Sequence, residues 1–191
     1  MALFRSVGEP ELAIRGQRIY LRAPLMTDHN EWASLREQSR DFLTPWEPIW
    51  PADDLTRAAF RRRLKRYDED QRTDQAYAFL IFRNEDHALL GGITLANLRR
   101  GVAQAGSIGY WIGEPYARQG YMSTALRALI PYAFESLRLH RLEAACIPTN
   151  AASIRLLEKS GFTREGYARE YLCINGVWAD HLLFGRLKDE R

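Results

Sequence analysis

Three stretches of this chain carry residues able to do chemistry. Residues 107–125 read SIGYWIGEPYARQGYMSTA. An apolar run of strand type ends near Ile112, a short turn follows, and a helical pattern opens directly after Gly120. The first turn of a helix leaves backbone N–H groups without partners, and the aligned peptide dipoles add partial positive charge there. Gly120 permits close approach to the backbone, and Arg118 adds a full charge. A diphosphate fits such a turn. It is not a dinucleotide fingerprint, because GxGxxG is absent, and not a Walker loop, because no Gly-Lys-Ser/Thr follows. Taken alone, the glycine could equally serve only to make the turn.

The second stretch, 148–162, reads PTNAASIRLLEKSGF. It predicts a short helix from Asn150 to Ser160, stopped by Gly161 at the C′ position. Asn150 could be no more than an N-cap on the Ala152 or Ser153 N–H, with Ser153 an ordinary first-turn residue. The third stretch, FLTPWEPIWP at 42–51, holds three prolines and two tryptophans, which predicts an irregular loop. Glu47 sits in its middle. A carboxylate there could take a proton from an amine, or stay solvated while Trp46 and Trp50 pack the loop down.

The elements that must position these residues follow from periodicity. Strands are predicted at 17–22, 76–82, 88–95, 107–112, 141–147, 163–174 and 179–187. Helices are predicted over 28–40, 55–70, 119–137 (kinked by Pro131) and 150–160. Asn175-Gly176 joins the last two strands as a hairpin turn. Only the β-α-β-α portion around 107–160 needs parallel crossovers. The expected fold is therefore mixed α/β, with a sheet of about seven strands and flanking helices.

Composition bounds the function. The chain has 191 residues, 46% hydrophobic and 27% charged, with a formal net charge of +3. One globular domain over 1–191 is expected. So small a charge excess argues against a dedicated nucleic-acid binder. No apolar run is long enough for a membrane span, and the first 16 residues lack the apolar core of a signal peptide. A cytoplasmic protein is expected, with Cys146 and Cys173 as two buried free thiols. His29, His87 and His140 have no metal-ligand spacing with either cysteine, so no metal is expected. The basic run 57–66, with Arg61-Arg62-Arg63, Lys65 and Arg66, reads as a solvated helix face, or as a contact to ribosomal RNA or an acidic substrate.

Together the first two stretches resemble a known pattern. A strand followed by RQGYMSTAL and a helix, then a strand followed by TNAAS, LL and GF, is similar to the GNAT superfamily of acetyl-CoA-dependent N-acetyltransferases. The superfamily's phosphate motif, Gln/Arg-x-x-Gly-x-Gly/Ala, falls on Ala117 to Met122, matching at Gly120 and departing at Ala117 and Met122. Those departures resemble the Rim-type branch, which acetylates ribosomal-protein N-termini. So do DFLTPWEP at 41–48, Gly109-Tyr110 with Ile112-Gly113, HRLEA at 140–144, and GFTREGYAREYLCINGVWADHLL at 161–183.

The resemblance implies a mostly antiparallel sheet splayed at two central parallel strands, with acetyl-CoA in the V between 107–112 and 141–147. Backbone groups at Tyr110, Trp111 and Ile112 would bond the pantetheine arm like an added strand. Amides of Arg118, Gln119, Gly120, Tyr121, Met122 and Ser123 would hold the pyrophosphate, and Asn150 the end of the pantetheine. Many members use a tyrosine seven residues after the asparagine as the acid for the leaving thiolate. Here that position is Leu157, and Ser153 matches the residue used in its place by Rim-type enzymes. An N–H near Ile112 would steady the oxyanion. Glu47 is the first candidate base and Asp180-His181 the second. A strand glutamate used by a related enzyme corresponds here to Leu172, so that role does not carry over.

The acceptor implied is a protein N-terminus beginning with alanine, on a ribosomal protein either free or on the ribosome itself, with no DNA and no membrane as partner. A small-molecule amine acetyltransferase and a non-catalytic acyl-CoA-binding or ribosome-assembly factor remain the competing readings.

Overall fold

The computed structural model describes residues 13–189. Most of the N-terminal stretch read above for a signal peptide lies outside them. The strands are β1 (Ala13–Arg15), β2 (Ile19–Arg22), β3 (Tyr77–Arg83), β4 (Leu89–Arg99), β5 (Ala105–Ile112), β6 (Arg141–Cys146), β7 (Thr163–Ile174) and β8 (Val177–Leu187). The helices are α1 (His29–Gln38), α2 (Arg40–Leu43), α3 (Arg57–Arg72), α4 (Tyr121–Pro131) and α5 (Ala151–Lys159). The sheet has eight strands in the order β1-β2-β3-β4-β5-β6-β8-β7. Every neighbouring pair is antiparallel except β5–β6. The sequence reading of about seven strands lacked β1, a three-residue edge strand too short to show a period.

The central strands are buried on both faces. In β3, Phe79 and Ile81 point into a core beneath α4, while Leu80 and Phe82 point into a second core beneath α1 and α3. The first core joins Leu126 and Leu129 of α4 to Leu142 of β6, Leu157 of α5 and Phe184 of β8. The second is built on Trp32 and Phe60, whose rings lie 4.8 Å apart. Thr56 caps α3, its hydroxyl accepting from the Ala59 N–H, as its residue type favours.

Three elements differ from expectation. The long helix over 119–137 ends as an α-helix at Pro131, and a wider turn of π type carries Tyr132–Ser136. Proline has no N–H to give, and the chain relaxes into the wider spacing just past it. The 42–51 loop contains some regular structure at its start, with α2 and a 3₁₀ turn at Thr44–Trp46. Cys146 is buried as expected, but Cys173 is exposed. Its strand, β7, is the outermost of the sheet, so an apolar stretch there is not a buried one.

The two parallel strands pair for only three residues, Ala105–Arg141, Gly106–Leu142 and Ser107–Glu143. Beyond these, β5 runs on to Ile112 and β6 to Cys146 without pairing. A wedge opens between them, and α4 and α5 both begin beside it. Leu157, fully buried, anchors α5 to the core at this point. Leu157→Ala should cost about 2–5 kcal/mol of stability, as core leucine truncations do, read as a lower denaturation midpoint.

Candidate active site

One arm of the wedge is the turn before α4. Gly120 caps the helix in the left-handed conformation, φ +81°, and a Cβ built on it would meet nothing within 4 Å. Open space therefore lies in front of the helix start. The Tyr121 and Met122 side chains are buried in the core, so their amides are what the first turn offers outward. The turn is braced from behind. Gln119 donates from its side chain to the Pro115 carbonyl at 2.7 Å. Arg18 donates to the Gln119 carbonyl at 3.2 Å and lies over the Tyr121 ring at 4.5 Å. Arg118 is exposed and pairs with no carboxylate among the described residues. Amides, a free guanidinium and room for a ligand suit the diphosphate of coenzyme A.

The other arm is α5. The Asn150 carboxamide oxygen accepts from the Ser153 N–H at 3.0 Å, the capping bond that the sequence allowed. That fixes the amide's orientation and leaves its NH₂ to donate elsewhere. The Ser153 hydroxyl lies 2.6 Å from the Tyr110 hydroxyl of β5. Burial pushes the Tyr110 phenol well above its ordinary range. Burial also pushes up the Cys146 thiol at the end of β6, against a hydrogen bond with Ser153. Ser153 thus sits beside a phenol and a thiol that both stay neutral near pH 7.

On the far side of β5 lies a groove of about 600 Å³. Its walls come from the Glu47-Pro48-Ile49-Trp50 loop, from α1 and α3, and from Gly109, Tyr110 and Trp111 of β5. Tyr110 therefore borders both the groove and Ser153. The Glu47 carboxylate is largely covered and is not free. Arg36 grips it bidentately, at 2.9 and 2.7 Å, and the Trp50 indole donates to it at 2.7 Å. The guanidinium in turn sits 4.0 Å from the Trp50 ring centre and 5.0 Å from that of Trp111. So placed, Glu47 secures the loop that forms the groove. From outside, the Asn175 N–H at the hairpin turn donates to the Glu47 carbonyl at 2.8 Å.

The second pair of base candidates is occupied as well. His181 is buried with Nδ1 at 2.9 Å from the Ala179 carbonyl. Asp180 accepts from the Tyr167 hydroxyl and from the Glu170 N–H, and these hold it below the usual carboxylate range. Leu172 is exposed. Sequence reasoning missed Arg36 and the Tyr110 hydroxyl. Arg36 left a signal: it shares a helix face with Trp32 and Leu35 at the i, i+3, i+4 spacing, and a cation on an apolar face requires a carboxylate. The Tyr110 contact joins residues 43 apart in sequence and left none. Among the described residues, no cluster of three or more His, Cys, Asp or Glu is placed to hold a metal ion.

Residues 18–163 match the family model of the acetyltransferase (GNAT) domain. The chain belongs to the GNAT acetyltransferase family. It is 33% identical over 176 residues to the [ribosomal protein uS5]-alanine N-acetyltransferase of Escherichia coli, covering 91% of this chain and 90% of that one. The crystal structure of ribosomal-protein-S5-alanine acetyltransferase from Vibrio fischeri superposes with a TM-score of 0.86 at 30% identity, over 95% of this chain and all of that one. RimJ of Mycobacterium smegmatis, in complex with CoA-disulfide, also gives a TM-score of 0.86, at 28% identity over 90% of this chain and 83% of that one. As a GNAT enzyme the chain is an N-acetyltransferase with acetyl-CoA as donor. The open wedge and the free amides at Gly120 fit that donor.

Two substitutions test this geometry. Gly120→Ala places a methyl where the diphosphate approaches, and in a left-handed backbone it costs about 1–2 kcal/mol of stability. Calorimetry should show coenzyme A affinity reduced about tenfold or more, on the order of the loss of one charge-assisted hydrogen bond. Glu47→Gln breaks the grip on Arg36 and loosens the groove. The KM for a peptide acceptor should rise several-fold while the acidic limb of the pH–kcat/KM profile stays in place. Disappearance of that limb would make Glu47 the general base after all.

Proposed function

We propose that this enzyme acetylates the N-terminal α-amine of a protein, in the first place a ribosomal protein whose chain begins with alanine. The observation that carries this reading is the state of the groove's carboxylates. Glu47 is held by Arg36 and Asp54 by Arg63, at 2.7 and 2.5 Å. A polyamine would need free anions there, whereas an uncharged α-amine on an extended peptide needs only shape and apolar walls. The named activities of the Escherichia coli and Vibrio fischeri relatives point the same way. No described helix is long and apolar enough to cross a membrane, and the ribosomal acceptor places the enzyme in the cytoplasm. Arg62 and Arg63 of the basic helix 57–66 are paired with Asp53 and Asp54. Arg61, Lys65 and Arg66 stay exposed and able to meet an acceptor's anionic surface.

The chemistry asks little of a base. An α-amino group has a pKa of about 7.7–8.0, so roughly a tenth of it is neutral at pH 7, against well under a thousandth for lysine. Its proton can leave to water in the open groove. Bound acetyl-CoA supplies an acyl group activated as a thioester. The amides from Arg118 to Ser123 hold its diphosphate, backbone groups of Tyr110, Trp111 and Ile112 line its pantetheine arm, and the Asn150 NH₂ donates to that arm. An N–H near Ile112 meets the developing oxyanion. The Ser153 hydroxyl hands its proton to the sulfur as the C–S bond breaks, and the water that carries off the amine's proton restores it to the serine.

A thiol-release assay with acetyl-CoA tests the reading. Peptides beginning with Ala should turn over faster than those beginning with Lys, and faster than free lysine or spermidine. Turnover confined to the small amines would replace the acceptor proposed here, and no release with any amine would leave a binding protein. Ser153→Ala should lower kcat about 100-fold, the lower end of what a general acid contributes, with coenzyme A affinity unchanged.

A further inference from the structure

We infer that Tyr110 is a positioning residue for the reaction, its hydroxyl fixing the direction in which the Ser153 proton points. The inference rests on the acid role proposed for Ser153 and adds a group that acts through it.

The two oxygens are 2.6 Å apart, a short hydrogen bond between neutral hydroxyls. Distance alone leaves the donor open, but the two oxygens are unequal acceptors. A phenol oxygen shares a lone pair with its ring and accepts poorly, whereas an alcohol oxygen accepts well, so the proton in the bond is the one from Tyr110 and Ser153 accepts it. The phenol has a single proton to give. The Ser153 proton must then point away from Tyr110.

Hydroxyls in helices commonly turn back onto a carbonyl three or four residues earlier. Thr124 does so in α4, donating to the Gly120 carbonyl at 3.2 Å, and Thr73 does so at the end of α3, reaching the Glu69 carbonyl at 2.8 Å. Ser153 makes no such bond. Its rotor is held by Tyr110 instead. The remaining neighbour is the Cys146 thiol, which burial keeps protonated and which is a weak acceptor. A sulfur that gains negative charge beside Ser153 is a much better acceptor than either. Accepting from Tyr110 also polarises the serine hydroxyl and makes it a stronger donor. A phenol that remains neutral, as burial ensures for Tyr110, keeps the chain running in one direction, from Tyr110 through Ser153 to the leaving group.

Tyr110→Phe isolates the effect, because the ring keeps its packing and only the hydroxyl goes. The expected result is a kcat lowered about tenfold, on the order of one cooperative hydrogen bond, with KM for acetyl-CoA and coenzyme A affinity by calorimetry within about twofold of wild type. The double variant Tyr110→Phe with Ser153→Ala should be no slower than Ser153→Ala alone, because Tyr110 acts only through that serine. Wild-type kcat in Tyr110→Phe would overturn the inference, as would fully additive losses in the double variant, or a loss of coenzyme A binding that marked the hydroxyl as merely structural. In each of those cases a slow Ser153→Ala enzyme would leave the acid role standing. A Ser153→Ala enzyme at full speed would remove the acid role and this inference with it.

Discussion

The site depends on β5 and β6 parting after three residue pairs. Backbone N–H and C=O groups inside a sheet are obligatory hydrogen-bonding groups, and the stretch of β5 from Ile108 to Ile112 has lost its neighbour on one side. An extended ligand that carries its own amides completes the ladder. The pantetheine arm carries such amides, and on the function proposed above it would be held by the same physics that holds the sheet together. The same parting gathers the two helix starts. Both α4 and α5 leave from the carboxyl ends of the parallel strands, and ligands of α/β sheets gather at that end where the strand order switches. On the function proposed above, one start would face the diphosphate and the other the thioester.

What lies on the other side of β5 is set by a buried charge. Arg36 sits on the apolar face of α1, where an unpaired guanidinium would cost several kcal/mol. Glu47 answers that charge, and in doing so it pulls the proline-rich loop onto the body of the protein and stacks Trp50 over the guanidinium. The prolines limit how the loop can move, the ion pair fixes where it sits, and the hairpin turn at Asn175 holds it from outside. The groove is the space left over. A carboxylate held in this way shapes the groove, and the α-amine acceptor proposed above, which titrates near neutrality, would need little help from it.

Sequence legibility follows the range of each interaction. The Gly120 turn, the Asn150 cap and the Asn175-Gly176 hairpin are local, and residue type alone marks them. The double burial of β3 is also readable, because a strand covered on both faces loses its alternation and becomes a continuous apolar run. Failures came where a distant partner decides the outcome. Glu47 reads as a free carboxylate until Arg36, eleven residues earlier, is seen to claim it. Cys173 reads as buried until the topology sends β7 past β8 to the edge of the sheet. The relation between Tyr110 and Ser153 exists only because the crossover through α4 returns β6, and then α5, to the side of β5.

The acid role proposed for Ser153, in place of position 157, rests on the same geometry. On α5, positions 153 and 157 lie one turn apart on a single face. The later of the two, Leu157, is consumed by the core, with none of its surface left exposed. A hydroxyl there would be sunk beneath the sheet unless the core were rebuilt. The first turn is the part of the helix that still borders the wedge, and serine is small enough to sit in it without closing the space the ligand must enter. A short side chain reaches less far than a tyrosine one turn further along, and it orients less well on its own. On the inference drawn above, Tyr110 makes up that deficit from β5, so the reach is supplied by the opening of the sheet and the orientation by a residue beside that opening.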